Sequence, residues 1–342
     1  MKRVGKNSIL FDNVYVLETA TSTGPREKNG PIGEYIDKNY DNLNCLEKSW
    51  EKAECRLQKD VIEISLKKAA LEEKDLDLIV SGDLNNQIVV SSFTAKDYDI
   101  PHIGIYGACT TSILSLIVGS NYIDTKTFNN VLCLTSSHYA TSEKQFRFPT
   151  EYGGQKPDTT TTTVTGSGAT IITNQKTNIK ITKATIGKVI DAEYKDAQDL
   201  GKAMAPSAAV TLKQHLSDFN IPTSYYDLIL TGDLSLGGSK VFIDILKEWD
   251  IIIPNYNDCG LMIYDLNNQE VFSGGSGCGC AGVVVNSYIM ALLRKKILKK
   301  VLVITTGALM NPISTAQKES IPGIAHAVAF EVVEWWVFFL LF

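Results

Sequence analysis

A repeat constrains this chain more than any other feature. Leu76 to Asp83 reads LDLIVSGD and Tyr226 to Asp233 reads YDLILTGD, each an apolar strand ending in Gly-Asp. Further along each copy, Asn130 to Ser136 (NVLCLTS) is matched by Lys300 to Thr306 (KVLVITT), in the same order. Between these strands lie GIYGACTTS (Gly104 to Ser112) in the first half and VFSGGSGCGCAGVVVNSYIMALL (Val271 to Leu293) in the second, each a glycine-containing turn feeding an apolar helix. Ahead of the Gly-Asp strands, Trp50 to Leu71 and Ala203 to Phe219 carry apolar residues three and four apart, the spacing of amphipathic helices. A unit that recurs in order implies a duplicated fold. Strands alternating with helices imply a mainly parallel sheet covered on both faces. The expectation is an α/β protein of five α-β-α-β-α layers, with halves at 1–175 and 176–333 related by a pseudo-twofold and an apolar tail at 334–342.

Composition supports a large core: 342 residues, 44% of them hydrophobic. The net charge of −5 is modest, and the basic residues are scattered in pairs such as Lys67-Lys68 and Lys299-Lys300, so nucleic acid is excluded as a partner. Seven cysteines are an odd count and MKRVGKNSILFDNVYV lacks the apolar core of a signal peptide, which predicts cytoplasmic synthesis with reduced thiols. The last residues read EWWVFFLLF. Even AVAFEVVEWWVFFLLF is shorter than the roughly twenty apolar residues a span needs, and it carries Glu331 and Glu334. The tail therefore either packs on the body or docks on a membrane surface or membrane partner.

Cys109 is the candidate nucleophile. Pro101 to Tyr106 reads as a strand, Gly107 and Ala108 as a tight turn, and TTSILSLIVGSNYI as a helix, a place where unpaired N–H groups favour a thiolate. Cys278 and Cys280 sit in the matching turn of the second half. Their C-x-C spacing lacks the second pair of ligands for structural zinc, so no metal is expected. GSGCGCAG also lacks both the Gly-Lys-Ser/Thr ending and the spacing of a phosphate loop. Thr159 to Gly166 (TTTTTVTG) reads as an edge strand.

The duplicated halves, the Cys at the head of a central helix, VTGSGATIIT (Val164 to Thr173) and IPGIAHAVAFE (Ile321 to Glu331) together resemble the thiolase and ketoacyl synthase fold. Five stretches in order give a narrower match: TSTGPREKNGPIG (Thr21 to Gly33), GIYGACTTS, SSHYATSEKQFRFPTEYGGQKP (Ser136 to Pro157), SGGSGCGCAG (Ser273 to Gly282) and ESIPGIAHAV (Glu319 to Val328). With these the chain is similar to the stage V sporulation protein AD family of spore-forming bacteria. That resemblance implies binding of dipicolinic acid (pyridine-2,6-dicarboxylate), with calcium as an optional companion, and help with its uptake into the developing spore. It further implies a peripheral position on the spore inner membrane beside integral membrane proteins, and a homodimer that pairs the edges of the first-half sheets. It implies no cofactor.

A condensing enzyme needs His, Asn or a second Cys from second-half loops to complete the site. Here Asp233 in TGDLSLGGSK lies where such a group belongs, and SGGSGCGCAG offers only Cys278 or Cys280 as a thiol acid. The set is not intact, so the leading expectation is a ligand-binding protein with Cys109 lining its pocket. The alternative is an acyltransferase, moving groups other than amino-acyl groups, with Cys109 as nucleophile. His138, after VLCLTSS, and His326, opening the last strand, are the histidines expected near the cavity; His102 and His215 are expected to be structural or at the surface. A planar dianion needs two cationic or N–H-rich clamps. Arg147, between Phe146 and Phe148, and Lys156 after the Tyr152-Gly153-Gly154 turn are the expected cations, with Arg26 and Lys28 as further candidates. Helix N-termini at Cys109 and Cys280 are expected to supply N–H groups.

Overall fold

The computed structural model describes residues 1–146 and 156–334. The first half contributes strands β1 (Tyr15–Thr23), β2 (Leu78–Gly82), β3 (His102–Gly104), β4 (Asn130–Ser137) and β5 (Gly166–Thr173). Its helices are α1 (Trp50–Ala69), α2 (Val89–Ala95), α3 (Thr111–Asp124) and α4 (Tyr139–Phe146). The second half contributes β6 (Ile179–Thr185), α5 (Leu200–Phe219), β7 (Leu228–Thr231), α6 (Ser235–Glu248), β8 (Tyr256–Asp258), α7 (Cys278–Val284), β9 (Lys300–Ala308) and β10 (Gly323–Val332).

The two halves repeat one topology. In the first, β3, β2 and β4 run parallel, and β5 lies antiparallel between β4 and β1. In the second, β8, β7 and β9 run parallel, and β10 lies antiparallel between β9 and β6. They meet where Lys180 of β6 pairs with Tyr15 of β1, which makes the two sheets continuous. The parallel part is therefore only three strands in each half, and the antiparallel β5 and β10 close each unit.

Three apolar clusters separate the layers. The innermost joins Ile113, Leu116 and Ile117 of α3 to Val283 and Val284 of α7 and to strand residues of both halves such as Val131 and Val303. Helices α3 and α7 thus fill the space between the sheets, which is why both are apolar on all sides. A second cluster packs α5 and α6 on the outer face of the second-half sheet, and a third packs Val61 and Ile62 of α1 on that of the first. Five layers result. Close approach needs glycine in the middle: a Cβ on Gly168 of β5 would lie 2.0 Å from the Gly282 carbonyl of α7.

The expected helix Ala203 to Phe219 begins a turn earlier, at Leu200, because the Asp199 side chain accepts the Lys202 amide. The expected edge strand at Thr159 to Gly166 is a correction. Ahead of β5, which opens at Gly166, the strand is only Thr162–Thr163; it pairs with Gly275–Ser276, and Thr160 to Thr165 are buried. The threonines pack as a strap over the glycine-rich turn, with Thr162 Oγ1 donating to the Val271 carbonyl at 3.2 Å.

Candidate functional site

The turn into α3 bends sharply at Ala108, whose φ of 50° is left-handed. Thr111 Oγ1 holds the turn, accepting the Gly107 amide at 3.1 Å and donating to the Ala108 carbonyl at 2.6 Å. This places Cys109 ahead of α3, buried at the interface of the halves, where Thr110 Oγ1 is 2.7 Å from Thr305 Oγ1 of β9.

From the second half, Asp233 follows the end of β7 by two residues, and its carboxyl sits against the Cys109 thiol. Its Oδ2 accepts the Gly277 amide at 2.9 Å and the Ser276 hydroxyl at 3.2 Å; its Oδ1 accepts Thr306 Oγ1 at 2.9 Å. Burial pushes the carboxyl up to about 6, against hydrogen bonds that hold it down. Burial is also the main reason the Cys109 thiol is held well above the usual cysteine range, and the Asp233 charge pushes the same way. Gly277 is shaped for its role: its φ of 95° is left-handed, and a Cβ there would meet Ser137 Oγ at 2.9 Å.

Cys278 completes the group. Its thiol donates to the Ser136 carbonyl at 2.9 Å, and it packs with Leu84, Cys109 and Phe146. Behind Ser136 lies a second acidic centre. Glu54 of α1 accepts the hydroxyls of Ser136 at 2.8 Å and Thr141 at 3.0 Å and the Asn85 side chain at 3.0 Å. Asp83 accepts the amides of Asn85 and Ser91, each at 2.8 Å. Burial, then the Asp83 charge, push Glu54 up to about 8. Sequence reasoning missed Glu54, which looks like any polar residue of an amphipathic helix. Asp83 was visible as the partner of Asp233 in the repeat, yet the two face different groups.

The cavity at Cys109 is small, about 30 Å³, and is lined by Leu84, Ala108, Phe146, Thr163, Leu200, Ser276, Ala308 and Met310 besides Cys109. A wider basin of about 340 Å³ adjoins it, lined by Asn85 to Ile88, Gly104 to Tyr106, Gln145 and Asn311, and shares Phe146 and Met310 with it. Among the described residues that line the two cavities there is no lysine, arginine, aspartate or glutamate; Asp233 lies behind Cys109.

The structure thus brings Cys109, Asp233 and Cys278 together and sets the other expected residues apart. His138 Nε2 meets the Leu43 carbonyl at 2.8 Å, Nδ1 accepts the Ala140 amide at 3.1 Å, and burial lowers its pKa; it fastens the loop before α1. His326 is buried in β10, with Nδ1 accepting the Gly187 amide at 3.1 Å and burial pushing it down to about 4. Lys156 Nζ pairs with Glu143 at 2.7 Å and reaches the Tyr139 hydroxyl at 3.2 Å. Cys280 is in the inner core, its amide given to the Gly277 carbonyl at 2.9 Å and its thiol 3.6 Å from the Gly232 carbonyl. Arg26 stacks on Tyr139 at 4.6 Å and Lys28 pairs with Asp41 at 2.6 Å. His102 and His215 are structural: His102 pairs with Ser81, and His215 lies between Thr185 and Tyr226. Arg147 and the tail beyond Glu334 lie outside the described residues. Among the described residues no helix is long and apolar enough to cross a membrane, and no three His, Cys, Asp or Glu side chains gather as metal ligands.

The fold has close relatives in solved structures. Cerulenin-bound OleA of Xanthomonas campestris is 13% identical with a TM-score of 0.63, covering 95% of this chain and 98% of that one. The 3-oxoacyl-[acyl-carrier-protein] synthase III of Aquifex aeolicus VF5 is 11% identical with a TM-score of 0.55, covering 93% and 99%. At these identities the likeness establishes the thiolase-type fold alone. In sequence, the chain is 49% identical over 333 residues to the stage V sporulation protein AD of Bacillus subtilis (strain 168), covering 97% of this chain and 98% of that protein. The family model described as stage V sporulation protein AD matches residues 5–331. The chain belongs to the stage V sporulation protein AD family, and its role is in sporulation.

Proposed function

We propose that this protein is a non-catalytic member of the thiolase-type fold that binds dipicolinic acid and assists its uptake into the developing spore. The observation that carries the non-catalytic half is Asp233 against Cys109. Acyl transfer needs a thiolate and donors for an oxyanion. Here a carboxylate opposes ionisation of the thiol and competes with it for the Gly277 amide. What is left is a pocket at the junction of two halves, reached from an amide-lined basin, in a chain of a sporulation family.

Charge recognition of the diacid falls to Arg147, the next residue in sequence after Phe146, whose side chain lines both cavities. Lys156 is committed to Glu143 and contributes to the shape of α4 instead. The protein acts peripherally at the spore inner membrane with integral membrane proteins as partners, and pairs with a second copy through the free edge of β3. Support for the dimer is that β3 ends the sheet, paired only with β2 among the described strands.

Calorimetric titration with dipicolinate tests the reading. Saturable binding that weakens in Arg147→Ala by about tenfold or more, the loss of a charge-assisted contact, is expected. Absence of binding by both the purified protein and its membrane complex would overturn it.

A further inference from the structure

We infer that the basin beside Cys109 is the outer chamber of a two-chamber ligand path, and that Phe146 and Met310 form a gate between the chambers, held shut by a latch between Gln145 and Asn86. This goes beyond the proposed function, because it concerns how any ligand reaches Cys109.

Size makes the argument. A cavity of about 30 Å³ holds no more than a water molecule or so, whose share of liquid volume is about 30 Å³. The basin, at about 340 Å³, falls in the range that small-molecule sites occupy. Phe146 and Met310 are the two side chains that line both spaces. Phe146 packs with Leu84, Cys109 and Cys278, so moving it opens the basin towards the thiol.

The latch stands immediately before the gate in sequence. Gln145 Nε2 donates to Asn86 Oδ1 at 2.7 Å, and the Asn86 amide donates back to Gln145 Oε1 at 3.1 Å. This reciprocal pair ties the last turn of α4 to the turn ahead of α2. That turn is itself strained, with Gln87 and Ile88 at φ values of 54° and 48°. Both hydrogen bonds are exposed to water, which can replace either partner, so the latch opens reversibly.

The outer chamber also has a chemical preference. Asn85, Asn86, Gln87, Gln145, Asn311 and half-exposed Tyr106 line it, with the Asn85 side chain bonded to Glu54, those of Asn86 and Gln145 to each other and that of Asn311 to the Ser314 amide. Opening the latch frees the Asn86 and Gln145 carboxamides, which offer donors and acceptors together, so the chamber then favours a ligand with several hydrogen-bonding groups.

Thiol access measures the gate without knowledge of the ligand. The full-length protein is exposed to iodoacetamide or to the larger N-ethylmaleimide, and alkylation of each cysteine is followed by peptide mass spectrometry. Half-buried Cys55, outside the path, serves as the reference, and buried Cys259 and Cys280, in the inner core, report unfolding. Phe146→Ala is expected to speed Cys109 alkylation about tenfold and to reduce discrimination between the two reagents, with Cys55 unchanged. Gln145→Ala, at a partly exposed position that does not threaten folding, is expected to give a smaller increase of about threefold through the latch alone. Rates at Cys109 that are the same in wild type, Phe146→Ala and Gln145→Ala would overturn the inference, as would increases matched at Cys259 and Cys280.

Discussion

Asp233 Oδ2 accepts the amide of Gly277 at 2.9 Å, beside the Cys109 thiol. The N–H is spent on a carboxylate, in the place where a condensing enzyme would direct donors at developing negative charge. One residue thus removes an oxyanion donor and opposes the thiolate at once. Asp233→Asn keeps the acceptor for Gly277 and removes the charge. It is expected to lower the pH at which Cys109 becomes alkylated and to speed alkylation at fixed alkaline pH, with burial still holding the thiol above its ordinary range. The check is the pH profile of iodoacetamide labelling at Cys109, and an unshifted profile would refute the assignment.

Glu54 sets a pH dependence of stability. Burial and Asp83 raise its folded-state pKa from an ordinary value near 4.5 to about 8. The folded state therefore holds more protons than the unfolded chain between those values, and stability falls as pH rises through that window. The contribution is fully present below about 4.5 and lost above about 8. Thermal melts across the window should show wild-type Tm declining more steeply than that of Glu54→Gln; parallel curves would rule the effect out.

Gly277 is needed for its backbone. In Gly277→Ala, a left-handed φ of 95° and a Cβ 2.9 Å from Ser137 Oγ combine. The expected cost is about 1–3 kcal/mol in urea denaturation. A midpoint equal to wild type would show that the turn has a relaxed alternative.

Lys156 separates structure from ligand binding. Its partner Glu143 is buried, so Lys156→Met should destabilise by about 1–3 kcal/mol. Dipicolinate affinity should stay within about twofold, since the lysine is committed to α4 and is absent from the described lining of the Cys109 cavity. A large affinity loss with unchanged stability would place the lysine at the ligand.

The repeat made the architecture readable before any coordinates. Paired Gly-Asp strands and two apolar helices with no polar face fixed two halves around a central helical layer. The antiparallel closing strands β5 and β10 were less visible, because an apolar strand carries no mark of its direction. Cys109, Asp233 and Cys278 were also legible, since Asp233 ends a repeated Gly-Asp stretch and the two cysteines sit in the glycine-marked turns between the repeated strands. His138 and His326 were not: both follow or open strands at the right end, but their ring nitrogens are spent on backbone groups that only the fold brings close. Glu54, Phe146 and Met310 join the site from a helix face, a helix end and a strand end, where local sequence has no pattern to show it.

The most direct test of the central claim is the intact mass of the protein, with peptide mapping at Cys109, after incubation with acyl-CoA donors of graded chain length. The expected result is an unchanged mass with every donor, because Asp233 holds the thiol protonated and occupies the Gly277 amide. A stable acyl adduct on Cys109 would contradict the account and restore the chain to the condensing enzymes whose fold it shares.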